Sequence, residues 1–458
     1  MNSPKTEFDV IVVGSGPGGA SVARDLSRQG KKVLILEWGD YDPVKGSVAQ
    51  FIQRAGIPGK SMYVTGQMLS LVRAITAGGS SLIYCATAFD PPVDMLKAHG
   101  VDISAEAAEI GNDVPIGPLS DSLMADGPRR FLESALALGY DAHRMNKFIF
   151  QDKCRAQCQL CFYGCPHGAK WNARHFIAEA LESGAQMVNY AKVERVLIEN
   201  GQAVGVEYRH NRKTFRAYAS KIVVAAGGIG SPLILRQSGI RGTGRNFFID
   251  PLLYVYGRIE GLGTGKSIPM SAGVHFPDDG IVMTDFNMPH LMKILLDLEV
   301  LKVRQTFAYT DVLPIMIKIR DDLGGEITQS GWVKKPLSRQ DRLRLAKGAD
   351  HARRILANAG ATDIYRGWLF ASHPGGTVKI GEHVDTDLKT MYDNLYVCDC
   401  SVIPEEWGLP PTWTLLALGR RLAKHLAAED RAGRRKRFQP VELRPRKDEG
   451  RELSAGAF

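Results

Sequence analysis

The segment from Phe8 to Glu37 leaves this chain few folds to choose from. Phe8-Asp-Val-Ile-Val-Val13 is a short apolar run bounded by glycine, and it reads as a buried parallel strand. Gly14-Ser-Gly16-Pro-Gly-Gly19 follows, then a helical pattern from Ala20 to Gln29, then a second strand, Lys32 to Leu36, ending at Glu37. Gly14 permits the tight turn, Gly16 lets the backbone approach a pyrophosphate, and Gly19 lets the helix pack on the strand. The helix N-terminus then faces the phosphates, and Glu37 is placed to accept hydrogen bonds from a ribose diol. A glycine triplet alone is weak evidence. Strand, turn, helix, strand and acid in this order predict a Rossmann-type α/β domain that binds a dinucleotide. They do not by themselves separate NAD from FAD.

Four of the seven cysteines fall close together: Cys154, Cys158, Cys161 and Cys165, spaced C-x3-C-x2-C-x3-C-P. Soft thiolates select zinc, copper(I) or iron–sulfur clusters. The C-x2-C-x3-C-P portion resembles the bacterial ferredoxin run, with x3 in place of x2 at the first step. A 4Fe-4S cluster is the favoured reading, and loss of one ligand would leave a 3Fe-4S cluster. Structural zinc stays open, although zinc sites usually set two knuckles apart by a longer loop. Disulfides also stay open, although no secretory signature favours them. Cys85, Cys398 and Cys400 lie in apolar surroundings and are expected in the core.

Further segments resemble the glucose–methanol–choline (GMC) flavin oxidoreductases, in the family's order. After the N-terminal fingerprint comes Arg73-Ala-Ile-Thr-Ala-Gly78-Gly79-Ser80-Ser81, similar to the family's R-x4-GGSS loop against the flavin and its phosphates. Val223 to Gly239, followed by Gly244-Arg245-Asn246, resembles the second family signature. His373-Pro374-Gly375-Gly376-Thr377 and Asn394 to Thr412 complete the match. The resemblance implies FAD as cofactor and an α/β architecture. In it a discontinuous Rossmann-type FAD-binding domain carries an α+β substrate-binding cap of antiparallel sheet and helices. It also implies that Val193 touches the adenine, that Asp399 lies near the flavin phosphates or ribityl chain, and that Pro411 and Thr412 meet the isoalloxazine ring.

By the same resemblance His373 lies beside the flavin and takes the substrate hydroxyl proton while hydride leaves the carbon. Histidine's ordinary pKa of ~6.5 suits that task near neutrality. Family members usually carry His or Asn immediately before the Pro-Thr pair; here Pro410 stands there, with no side-chain donor or acceptor. Glu405, Glu406 or Trp407 is then expected to supply the missing contact, or His373 acts alone. Two branches of the family also carry cysteines: certain bacterial sugar dehydrogenase subunits and the long-chain fatty alcohol oxidases. If a cluster is bound, a dehydrogenase is expected, passing electrons to an electron-transfer protein or a quinone. The alternatives are a ferredoxin-fed reductase of C=C or C=O, a long-chain alcohol oxidase with a structural cysteine site, and a flavin protein that has lost turnover.

The expected boundaries are 1–90, 185–250 and 370–430 for the FAD domain, 91–184 for an insert carrying the cysteines, 251–369 for the substrate domain and 431–458 for a tail. The insert is expected to hold a Gly/Pro-rich surface loop near Ile110–Pro118 and a helix from Trp171 to Leu181, and the substrate domain the apolar run Val312–Ile319 and an amphipathic helix from about Ser338 to Ala359. Net charge is +9, and the tail carries nine Lys/Arg against four Asp/Glu, or +5. It reads as a solvated end, with an acidic electron-transfer partner or anionic lipid as sharper readings. Nucleic acid is not expected, because no aromatic residues interleave the charges. The longest uncharged run, Ala74 to Phe89, is 16 residues, short of the roughly 18 a membrane span needs. A cytoplasmic protein acting on a small molecule is expected, with peripheral membrane contact through the tail as the variant. Pro289 to Val303 is unusually apolar and reads as core or as a lid for a hydrophobic substrate.

Overall fold

β1 (Phe8–Val13), α1 (Pro17–Ser27) and β2 (Val33–Leu36) build the βαβ unit that the sequence predicts. The structure, a computed structural model, describes residues 7–66, 69–263, 265–290, 293–294 and 309–437. β1 is the centre of a parallel sheet. β2 and then Gln186–Val188 lie on one side of it. The second half of the long strand Lys213–Val224 and then Leu395–Val397 lie on the other. Val10–Val13, Val33–Leu36 and Ile222–Val224 are all buried, which is why these strands read as unbroken apolar runs. The first half of Lys213–Val224 leaves this layer and pairs in an antiparallel meander with Gln202–His210 and Lys192–Glu199. α1 packs on the C-terminal helix Thr412–Arg437. A Cβ on Gly419 would stand 2.6 Å from the Gly18 carbonyl oxygen, so only glycine permits that approach.

The second sheet has eight strands, in the order Met62–Val64, Ser70–Val72, Thr362–Ala371, Pro251–Arg258, Val312–Ile319, Ile281–Asp285, Ala272–Phe276 and Ala142–Arg144. One face is covered by the helix Arg339–Asn358, which starts with a capping box between Ser338 and Asp341. Gly348 of this helix packs on Ile317. The other face carries Tyr254, Tyr256, Met316 and Phe286, clustered with Cys85 and with Phe162 from the cysteine loop. Alternate strand residues therefore serve two cores. Such a Rossmann-type domain with an antiparallel cap is the expected architecture.

Two local expectations change. Ile110 to Pro118 reads as a Gly/Pro-rich loop, but Ile110 is buried in the helix Ser104–Asp113, and Ile116–Pro118 pairs with Asn146–Phe148. The proline is tolerated because the ribbon has only two strands. The helix expected from Trp171 begins at Arg174, since the Trp171 amide donates to the Phe148 carbonyl at 2.9 Å. The apolar stretch Pro289–Val303 and the basic tail fall largely outside the described residues. Among the described residues no helix is long and apolar enough to cross a membrane.

Candidate active site

The three fingerprint glycines meet three different surroundings. Gly14 has φ +98°, and a Cβ there would stand 2.3 Å from the Ala225 carbonyl oxygen. A Cβ on Gly19 would stand 2.3 Å from the Gly14 carbonyl oxygen and 2.9 Å from the Ala225 Cβ. Among the described residues nothing lies within 4 Å of the same position on Gly16, and no side chain caps α1. The first two glycines thus serve packing. Gly16 opens onto free space at a helix N-terminus, the arrangement that suits a phosphate. Gly78 and Gly79 both have positive φ, and a Cβ on Gly79 would stand 3.1 Å from the Gly16 Cα, so the second loop faces the first.

Ser15 joins these loops to the acid. Its amide and hydroxyl donate to Glu37 Oε2 at 3.1 and 2.6 Å, its hydroxyl oxygen accepts from the Gly78 amide at 3.1 Å, and the Gly39 amide donates to Glu37 Oε1 at 2.7 Å. Burial pushes the Glu37 carboxyl up, and these hydrogen bonds oppose it. The Ala191 amide donates to the Glu37 carbonyl at 2.8 Å, which sets the strand of buried Val193 beside it. Arg73 donates to the Tyr63 hydroxyl at 3.0 Å and the Lys60 carbonyl at 3.1 Å. Ser80 accepts from the Ala74 amide, while Ser81 donates to the Gly78 carbonyl and accepts from the Ala173 amide. Asp399 accepts from the Gly227 amide, the Ser231 hydroxyl and the Ser401 amide, tying down the start of the helix Gly227–Gln237. The open space over Gly16, the uncapped helix and the buried acid fit a dinucleotide.

His373 follows the strand Thr362–Ala371, and Asp250 precedes the strand Pro251–Arg258. These strands pair with Pro251 opposite Ala371, so both residues emerge at one end of the sheet. His373 Nδ1 lies 3.0 Å from Asp250 Oδ2. Both residues have positive φ, 51° and 45°, a conformation that is uncommon outside glycine and clusters at functional sites. Asp250 is fully buried; the Gly408 amide donates to its Oδ1 at 2.9 Å, and Lys318 Nζ stands 3.4 Å from its Oδ2. Asp321 accepts from the Asp250 amide at 2.9 Å and pairs with Lys335 at 2.9 Å. Burial and then the Lys318 charge push the His373 pKa below its ordinary value, and Asp250 opposes them. The ring is therefore neutral near pH 7. An Nδ1–H donating to Asp250 leaves Nε2 as a proton acceptor.

Sequence reasoning missed Asp250, Lys318, Asp321 and Lys335. One signal was available: Lys318 interrupts the apolar strand Val312–Ile319, and a charge inside a buried run requires a partner. Glu405 and Glu406 are both exposed, and Glu405 Oε1 meets His99 Nε2 at 2.7 Å. Trp407 is buried, and its Nε1 has no hydrogen-bond partner among the described residues. Pro410, Pro411 and Thr412 are buried where the C-terminal helix begins.

The four clustered cysteines lie on one loop around the short helix Leu160–Tyr163, and none is in a disulfide. Cys161 and Cys165 are buried, and Cys154 and Cys158 partly so. Burial and the nearby Cys161 push the Cys154 thiol up to about 12. Among the described residues no three His, Cys, Asp or Glu side chains converge closely enough to hold a single metal ion. Cys85, Cys398 and Cys400 are buried core residues, as expected.

A dinucleotide cradle joined to an antiparallel cap sheet is the architecture of a nucleotide-dependent oxidoreductase, and the family match makes it an FAD-dependent one acting on CH–OH groups. Residues 10–252 match the N-terminal model, and residues 321–419 the C-terminal model, of the GMC oxidoreductases, and the chain belongs to that family. An uncharacterized protein of Methanocaldococcus jannaschii is 27% identical over 92% of this chain and 100% of its own length. An uncharacterized GMC-type oxidoreductase of Mycobacterium tuberculosis is 29% identical over 62% of this chain, which spans 48% of that relative. A long-chain-alcohol oxidase of Arabidopsis thaliana is 23% identical over 92% of this chain and 67% of its own length. Among solved structures, pyridoxine 4-oxidase from Mesorbium loti superposes with a TM-score of 0.69 at 17% identity, covering 92% of this chain and 99% of that one. A formate oxidase from Aspergillus oryzae gives 0.71 at 15% identity, covering 94% and 100%.

Proposed function

We propose that this chain is a dehydrogenase that oxidises a hydroxyl group on a small, hydrophobic molecule and releases the electrons through an iron–sulfur cluster on the cysteine loop. The His373–Asp250 pair carries the first half of this reading. Bound FAD supplies a hydride acceptor. His373 Nε2 takes the hydroxyl proton as the C–H bond breaks, leaving a C=O bond on the substrate. Asp250 holds the imidazole by Nδ1, so that Nε2 presents its lone pair. Pro410 offers no second grip on the substrate oxygen, and the unpartnered Trp407 Nε1–H, rather than the exposed Glu405 or Glu406, is the donor we assign to that role. The aromatic and methionine side chains on the face of the cap sheet away from the helix Arg339–Asn358 favour an apolar substrate.

Cys154, Cys158, Cys161 and Cys165 are the residues that would hold the cluster, and their four free thiols on one loop suit it. A bound cluster supplies single-electron transfer to an acceptor such as an electron-transfer protein or a quinone. The test is anaerobic purification followed by an absorption spectrum with iron, zinc and sulfide counted per chain. We expect flavin bands and roughly three to four iron and sulfide, and reduction of the flavin by members of a primary-alcohol series. Flavin with one zinc and no sulfide would remove the relay. A long-chain-alcohol oxidase, as the Arabidopsis relative is named, would then be the better reading.

The acid–base pair makes a pH prediction. The histidine must be neutral to accept a proton, so kcat/KM rises with pH through the His373 pKa and is level above it. Because that pKa is depressed, the rise lies on the acid side of ~6.5. Asp250→Asn removes a charge that raises the pKa, so the rise moves further toward acid. The loss of orientation lowers the plateau about 10²-fold. A plateau and midpoint like those of the wild type would remove Asp250 from the mechanism.

A further inference from the structure

Two buried lysines have no role in the reading above. Lys147 and Lys170 are each 1% exposed. Lys170 Nζ donates to three main-chain carbonyls, Leu82 at 2.7 Å, Tyr84 at 2.9 Å and Cys161 at 2.6 Å. Lys147 Nζ donates to the carbonyls of Cys85 at 2.7 Å, Pro269 at 2.9 Å and Met270 at 3.1 Å, and to the Thr87 hydroxyl at 3.1 Å. Neither forms an ion pair with a carboxylate among the described residues. The charged and titratable groups facing Lys170 are the Cys161, Cys85 and Cys165 thiols and Lys147. Lys147 faces Cys161, Cys85 and Cys154 and, in addition, Asp285. One oxygen of Asp285 accepts from the Ser271 and Ala272 amides at 2.7 Å, and the other has no partner among the described residues.

Carbonyl oxygens satisfy the N–H groups of an ammonium but leave its net charge uncancelled. Burying such a charge is costly, and buried charges are normally paired or bound to a metal site. Four thiolates around iron and sulfide carry the opposite sign. Lys170 has a second effect. Its acceptors Leu82 and Tyr84 lie within three residues of Ser81 in the loop that faces Gly16, whereas Cys161 belongs to the cysteine loop. One buried side chain therefore ties the cofactor loop to the thiols.

Building on the cluster reading, we propose that Lys170 and Lys147 form a cationic floor that balances the negative charge of a thiolate-ligated iron–sulfur cluster, with Lys170 also fixing the cluster's loop against the flavin-side loop. Positive charge beside a cluster favours the added electron, so removing either lysine makes reduction harder. The test uses the full chain with flavin, reconstituted anaerobically with ferrous iron and sulfide. The midpoint potential of the cluster is followed by electron paramagnetic resonance for wild type, Lys170→Met and Lys147→Met. Lys153→Met, at an exposed site one residue from Cys154, is the control. We expect each of the first two variants to lower the reduced-to-oxidised ratio at a fixed potential about tenfold, ~59 mV for a one-electron couple. The control should not move. Lys170→Gln and Lys147→Gln keep N–H donors for the carbonyls and give the same readout where a methionine variant loses flavin. A loaded cluster with an unchanged potential in the variants would overturn the floor and leave the relay standing. Wild-type protein that takes up no iron and sulfide would overturn both.

Discussion

His373→Ala is expected to slow reduction of the flavin by alcohol about 10²–10⁴-fold, the range a positioned general base contributes, while leaving flavin bound. The two effects separate because His373 stands outside the dinucleotide cradle. Its side-chain partners are Asp250 and Ser372, neither of which belongs to the Gly14–Gly19 turn or the Gly78–Ser81 loop. Truncation also leaves the buried Asp250 carboxylate with Lys318 and the Gly408 amide, so the charge keeps partners and the fold should survive. Stopped-flow mixing with the alcohol that reduces wild type fastest gives the rate constant, and the visible spectrum gives the flavin content. A variant reduced as fast as wild type would end the assignment of His373 as base.

Gly14→Ala is expected to abolish flavin binding and to lower stability by about 3 kcal/mol or more, since overpacking and strain at a special φ add there. The new Cβ would stand 2.3 Å from a carbonyl oxygen of the neighbouring strand, and at φ +98° no rotamer can relieve the contact. Gly16→Ala is the informative contrast. Its φ of −64° suits alanine, and no atom of the described residues lies within 4 Å of the added methyl group. The flavin-free Gly16→Ala protein should therefore melt within about 0.5 kcal/mol of wild type, yet bind FAD more weakly, because the methyl fills space left for the ligand. Thermal melts of both variants with and without FAD decide the matter. If Gly16→Ala bound FAD like wild type, the cradle assignment would fail.

Features carried by short, contiguous runs are legible in the residues alone. The turn at Gly14, the strand at Val312–Ile319 and the helix beginning after Ser338 each follow from local sterics, period or capping, and each stands where the residues place it. Local pattern misleads where a distant partner decides the outcome. Trp171 looks helical but gives its amide to the Phe148 carbonyl and stays outside the helix, and Ile116–Pro118 looks like loop but finds a strand at Asn146.

The cofactor fold, the family and the residues suited to hold a dinucleotide are written in the chain itself, because glycine conformation and strand–helix periodicity act over a few neighbours. The company of His373 is a matter of long-range packing. Asp250 lies 123 residues before it, and the two meet because antiparallel strands bring Pro251 opposite Ala371. Nor does spacing along the chain reveal that Lys147 and Lys170 are buried, with Lys170 donating to the Cys161 carbonyl of the cysteine loop. Burial is a property of the packed whole, and it turns an ordinary surface residue type into an electrostatic element of the site.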